Sequence, residues 1–270
     1  MLAKNGISLE VFLSEKGKRE INEDFMIYHP NKFYLVCDGL GGNGNGKTAS
    51  KLVAETVKES LINSKSISEA VEESERVLSS YKKKNPSTER MATTIAIAEI
   101  LDNGVLVSWA GDSRVYQFRD GKIIFITSDH SWVANAVKKG VLRPVEALFH
   151  PRANELTKSI KDSSKPSKLE QVLIEDIQPN DYFLICTDGI TESWIDSDLE
   201  ELFFSLKSSS EIIQELKEEI GFFADVPILD PKTSECDEKR LQYAADRRKP
   251  HWVSDGHLGH APGLRMGLDS

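Results

Sequence analysis

The chain has 270 residues, 39% of them apolar, with 17 Gly and 10 Pro. That composition allows one large globular domain, or one domain with an appendage, and excludes a multidomain machine or a wholly disordered chain. Acidic residues outnumber basic ones 43 to 34, a net charge of -9, which argues against nucleic acid or an anionic membrane surface as partner and leaves divalent cations open.

In chain order, residues 7–13, 25–28, 33–37, 94–100, 105–110, 115–119 and 122–127 read as short strands. Turns such as Asp102-Asn103-Gly104 and Arg119-Asp120-Gly121 join several of them, so antiparallel hairpins are expected. Two amphipathic helices are predicted over residues 48–61 and 67–83, the second ending in a solvated Lys82-Lys83-Lys84 run. Residues 131–168 read as short helices within a Ser- and Lys-rich surface excursion. A strand over 182–186 and helices over 196–204 and 209–220 follow. Beyond residue 221 periodicity fades into a run rich in Gly, Pro and His, so a boundary is expected there, between a domain over 1–221 and a tail over 222–270. Cys37, Cys186 and Cys236 are too few and too scattered for a disulfide framework or a zinc site. With no leader-like apolar segment and no stretch of membrane-spanning length, the expectation is a cytoplasmic protein with no membrane span.

Two phosphate-binding patterns compete at one place. Residues 41–48, GGNGNGKT, satisfy GxxxxGK[ST] after an apolar strand and before a helix. On that reading Lys47 would hold phosphates, Thr48 a magnesium ion, and Asp188 the second metal-binding role. A nucleotide-binding domain of that kind needs repeated parallel strand-helix-strand units, whereas the surrounding turns predict antiparallel pairing. The competing pattern is a set of carboxylates at the ends of apolar strands: Arg19-Glu20-Ile21-Asn22-Glu23-Asp24, Asp38-Gly39, Gly111-Asp112-Ser113-Arg114, Ser128-Asp129-His130 and Thr187-Asp188-Gly189. Hard oxygen donors of this kind suit magnesium or manganese, not zinc.

Six blocks in order carry a resemblance: RxxNED at 19–24, DGLGG at 38–42, MATT at 91–94, WAGDSRVY at 109–116, TxDHS at 127–131 and CTDGITE at 186–192. Together they resemble the metal-dependent protein phosphatases, the protein phosphatase 2C-like Ser/Thr phosphatases in their bacterial form. The likeness runs over residues 7–205 and includes a flap-like segment around HPRANELTKSI. It implies an α+β fold, a four-layer α/β/β/α sandwich of two antiparallel sheets flanked by helices.

The resemblance also implies roles. Asp38 would bridge two divalent ions, Mn2+ or Mg2+, Gly39 would add its carbonyl to one, and Asp188 would ligate the other. Glu23, with Asp24, would hold metal-bound waters, and Arg19 would face the substrate phosphate. Asp112 and Glu192 resemble an optional third metal site. A water activated between two metals would attack the phosphorus of phosphoserine or phosphothreonine, without a covalent enzyme intermediate. The implied partners are phosphorylated protein substrates of a Ser/Thr kinase. By contrast, His130, Ser113 and Arg114 read as structural. The family's closing Asp-Asn motif has no match in GFFADVPILDPKTSECDEKR, so a phosphatase-fold binding protein with little or no turnover stands as the alternative.

Overall fold

The computed structural model describes residues 13–16, 19–41, 45–147, 149–162, 166–179, 181–205, 211–212 and 214–216. The expected boundary at 221, the tail, most of the expected strand 7–13, and Gly42, Asn43 and Gly44 lie outside these residues.

Two antiparallel sheets form the centre. The first has the order β1 (Phe25–His29), β2 (Phe33–Cys37), β5 (Ile95–Leu101), β6 (Gly104–Ala110) and β9 (Glu170–Ile174). The second is β10 (Tyr182–Cys186), β7 (Arg114–Arg119) and β8 (Lys122–Ile126). A short ladder pairs β3 (Gly39–Leu40) with β4 (Ala92–Thr93).

Side-chain alternation along each strand assigns the layers, because successive residues face opposite sides of a sheet. On the first sheet Phe33, Leu35, Cys37, Ile95 and Ile97 face α1 (Asn45–Ile62) and α2 (Ile67–Lys84), meeting Val53, Val57, Val71 and Leu78. Their neighbours Val36, Ala96 and Ala98 face inward, with Val105, Val107 and Trp109, toward Val115, Phe183 and Ile185 of the second sheet. Tyr116 and Phe118 point out of the second sheet onto Leu199, Leu202 and Phe203 of α6 (Asp196–Phe204). The expected four-layer sandwich is the one observed.

Antiparallel pairing also answers the nucleotide-binding alternative. The strand before the glycine-rich loop, β2, pairs antiparallel with both β1 and β5, so the repeated parallel units that such a site requires are absent from the sheet that carries the motif. The excursion between β8 and β9 contains α3 (Trp132–Lys138) and α4 (Pro144–Ala147). It is pinned at its base: Ile160 exchanges two backbone hydrogen bonds with Thr93, of 2.9 and 2.7 Å, and the Ser167 hydroxyl donates to the buried Glu75 carboxylate of α2 at 2.5 Å.

Candidate active site

Register brings the sequence motifs to one rim. β2 and β6 run the same way on either side of β5, so the residues following their C-terminal ends, Asp38 and Gly111-Asp112-Ser113, flank the residues preceding β5, Thr93 and Thr94. Phe25 pairs with Cys37, placing Glu23 and Asp24 at the same edge. Cys186 pairs with Arg114, so Asp188, at the start of α5 (Asp188–Thr191), joins from the second sheet. The three-residue turn from β6 to β7 is the point where the chain passes from one sheet to the other.

Close backbone packing shapes the rim. Gly46, in the first turn of α1, backs onto Gly39 so tightly that a Cβ on Gly39 would come 2.2 Å from the Gly46 carbonyl carbon and oxygen. Ser50, one turn further along the buried face of α1, donates its hydroxyl to the Glu23 carbonyl at 2.6 Å. Gly46 precedes the helix predicted over 48–61, yet it is a helix residue, and its missing side chain lets α1 touch the Gly39 backbone. Lys47 is exposed in the first turn of α1. Lys47→Ala is expected to leave phosphatase turnover within about twofold, as for an ordinary surface substitution, whereas loss of turnover would restore the nucleotide reading.

The carboxylates are crowded. Asp38 is 3% exposed, and burial, then Asp188 and Asp24, push its carboxyl well above the ordinary range. Asp24 lies within side-chain hydrogen-bonding reach of Asp38 and accepts a 2.8 Å bond from the Thr187 hydroxyl. Asp188 is raised by burial and by Glu192 and Asp112, with Arg19 opposing; Asp112 is raised chiefly by burial. Arg19 is the basic group over this cluster, its Nη2 3.9 Å from Asp188 Oδ2. Partial burial disfavours its charge, but Asp188, Asp38, Asp24 and Glu192 outweigh that and hold it above its ordinary value.

Do these residues fit divalent cations? Asp38 Oδ1, Asp112 Oδ1 and Glu23 Oε1 are buried and, among the described residues, have no hydrogen-bond partner. Buried carboxylate oxygens left bare are costly unless a cation or water completes them. All the donors are oxygen, and the Gly39 backbone follows Asp38 directly, packed against Gly46 and the Glu23 carbonyl. Among the described residues no three His, Cys, Asp or Glu side chains converge on one point, so an ion here would share its shell between one or two carboxylates, a backbone carbonyl and water, as hard cations do. The donors fit.

Other residues at the rim are braces. His130 Nδ1 accepts the Gly111 N–H at 3.1 Å, leaving the Nε2 proton for Glu170 Oε2 at 2.7 Å; with both ring nitrogens engaged and the ring stacked on Trp109, His130 supports the Asp112 turn. Arg114 makes two bonds of 2.7 and 2.6 Å to Asp129 and a third to the Tyr116 hydroxyl.

The family model of protein phosphatase 2C matches residues 20–221. The chain belongs to the protein phosphatase 2C family. It is a serine/threonine protein phosphatase, a hydrolase, by that membership. It is similar to the protein phosphatase PhpP of Streptococcus pneumoniae, 29% identical over 202 residues that cover 70% of this chain and 80% of that one. To the serine/threonine phosphatase stp of Listeria monocytogenes it is 27% identical over 215 residues, 74% and 84% of the two chains. Among solved structures, the S. agalactiae serine/threonine phosphatase shares 26% identity at a TM-score of 0.68, covering 76% of this chain and 89% of that one. The catalytic domain of the phosphatase PstP, solved with two manganese ions, shares the fold at 24% identity and a TM-score of 0.65, covering 76% and 87%.

Proposed function

We propose that this protein phosphatase 2C member hydrolyses phosphoserine and phosphothreonine in proteins phosphorylated by a Ser/Thr kinase, with water as the attacking group. Two divalent cations, Mn2+ or Mg2+, would be held by Asp38, the Gly39 carbonyl and Asp188, and a third by Asp112 and Glu192. The observation that carries this reading is the set of buried carboxylate oxygens left bare around Asp38. When bound, such cations supply the Lewis-acid charge that makes a water nucleophilic near neutral pH and neutralises phosphoryl oxygens.

The chain's own residues do the rest. Asp38, whose N–H and carbonyl are both hydrogen-bonded to Thr94, presents a well-placed carboxylate, and Glu23 Oε1 has no partner among the described residues and can accept a hydrogen bond from a water. Arg19, whose side chain is half-exposed, offers a planar pair of donors to the incoming phosphate. Without cations the cluster is net negative and repels a phosphate dianion, which one guanidinium does not offset. Among the described residues no helix is long and apolar enough to cross a membrane. The free, buried Cys37 and Cys186 support a reducing compartment, the cytoplasm.

Arg19→Ala is expected to raise KM for a phosphothreonine peptide about 10- to 100-fold, the value of a charged hydrogen bond of about 1.5–3 kcal/mol. Mn2+ affinity should hold or tighten, because a positive charge leaves the cluster. Steady-state kinetics alongside Mn2+ titration separates the two effects. The reading as a whole is tested by phosphate release from the same peptide. Turnover with Mn2+, loss in EDTA and recovery on adding Mn2+ is expected; peptide binding without release would mark a phosphoprotein-binding domain instead.

A further inference from the structure

Apart from the carboxylates, a fully buried threonine touches both turns that carry Asp38 and Asp112. Thr94 precedes β5 and has no exposed surface. Its backbone N–H donates to the Asp38 carbonyl at 2.9 Å, and its Oγ1 accepts the Asp38 N–H, also at 2.9 Å. The same Oγ1 lies 2.6 Å from Ser113 Oγ, with either hydroxyl able to donate; Ser113 is 1% exposed. The methyl group has a separate task. Gly111, at φ +117°, is packed so closely that a Cβ there would come 2.5 Å from Thr94 Cγ2.

Packing and strand formation alone do not call for the hydroxyl. Val has nearly the same shape and an equal preference for extended backbone, and would satisfy the Gly111 contact. What Val lacks is the oxygen that joins the Asp38 peptide to the Asp112 turn. In a site closed to water, removing that oxygen leaves the Asp38 N–H and the Ser113 hydroxyl without this partner, and lets the two turns relax independently.

We propose that Thr94 is a positioning residue: its hydroxyl bridges the Asp38 peptide to Ser113, fixing the spacing of the Asp38 and Asp112 carboxylates and thereby the affinity of the rim for divalent cations. This rests on the metal-binding reading above. Groups that orient ligands from behind commonly carry a 10- to 100-fold share of metal affinity.

Two substitutions separate the hydroxyl from the methyl. Thr94→Val keeps the shape and loses the oxygen, whereas Thr94→Ser keeps the oxygen and loses the methyl. The full chain and both variants are titrated with Mn2+ by calorimetry, with thermal unfolding in EDTA as the control for folding. The expected result is a Mn2+ Kd about 10- to 100-fold weaker in Thr94→Val, with Thr94→Ser close to the parent. Thr94→Val binding Mn2+ like the parent, or Thr94→Ser as weak as Thr94→Val, would overturn the proposal. If Thr94→Val does not fold, Ser113→Ala removes the other end of the bridge and is read the same way: weaker binding supports the proposal, and an unchanged Kd overturns it. A parent chain that binds no Mn2+ would bring down the metal reading itself, and the inference with it.

Discussion

Asp38→Asn is expected to lower turnover by about a thousandfold or more while raising the unfolding temperature of the cation-free protein. The two effects have one cause. Asp38 is buried, one of its oxygens has no partner among the described residues, and Asp188, Asp24 and Asp112 all bear on it. In the unfolded chain the same carboxylate is hydrated and free of these neighbours. A carboxyl whose folded value is raised binds its proton more readily in the fold, so above the unfolded value of about 4 its ionised form destabilises the native state. Asn removes that charge. The gain in EDTA should therefore be present at pH 7 to 8 and shrink as the pH falls toward about 4, where protonation of Asp38 has the same effect. In Mn2+ the order reverses, because a ligand that binds only the native state stabilises the parent and not the variant. Calorimetric melts across pH, with EDTA and with Mn2+, test this; an Asn variant that melts lower than the parent in EDTA at pH 7.5 would contradict the crowding of charge at this rim.

Gly46→Ala carries the second large effect, and its sign depends on tertiary packing. Within a helix, Gly to Ala ordinarily stabilises by about 1 kcal/mol. Here the new Cβ would stand 2.6 Å from the Gly39 carbonyl carbon and oxygen and 2.9 Å from the Glu23 carboxyl carbon. The nearest obstacles are backbone atoms that cannot swing aside, so the helix must retreat from β3. Overpacking of this kind costs about 1–3 kcal/mol and at times more, which exceeds the propensity gain. Turnover should fall with stability, because the Gly39 carbonyl and the Glu23 carboxylate are displaced together. Gly140→Ala is the control. That residue has φ +69° and nothing within 4 Å of a new Cβ, so it should cost only about 1 kcal/mol of backbone strain and leave turnover intact. Urea unfolding of the three chains decides; a Gly46→Ala protein more stable than the parent would show that α1 does not press on the metal loop.

The strands at 33–37 and 182–186 and the helix at 196–204 could be read because apolar runs or helical spacing mark them clearly, and the observed bounds agree. β9 was missed. It is an edge strand whose Glu170, Gln171, Val172 and Leu173 are all exposed, so no buried face imposes the alternation that betrays a strand. β3 and β4 have two residues each, too short for any period; only the pairing of the DGLGG and MATT blocks reveals them. The candidate carboxylates were legible as short motifs after apolar strands. Their convergence follows from antiparallel register, which sequence spacing cannot supply. Gly46 misled because a GxxxxGKT pattern reads as a loop, whereas the helix already begins at Asn45. Thr94 and His130 were visible as letters within motifs, but the role of each comes from a partner far away in sequence: Ser113 for the first, Gly111 and Glu170 for the second.

The most direct test of the central claim is anomalous X-ray diffraction at the manganese edge from crystals of the full chain grown with Mn2+. Anomalous peaks are expected at the strand-end rim, in contact with the Asp38 and Asp188 carboxylates and the Gly39 carbonyl, and are expected to be lost in Asp38→Asn. Crystals of an active protein that show no peak at Asp38, or manganese bound only elsewhere, would contradict it.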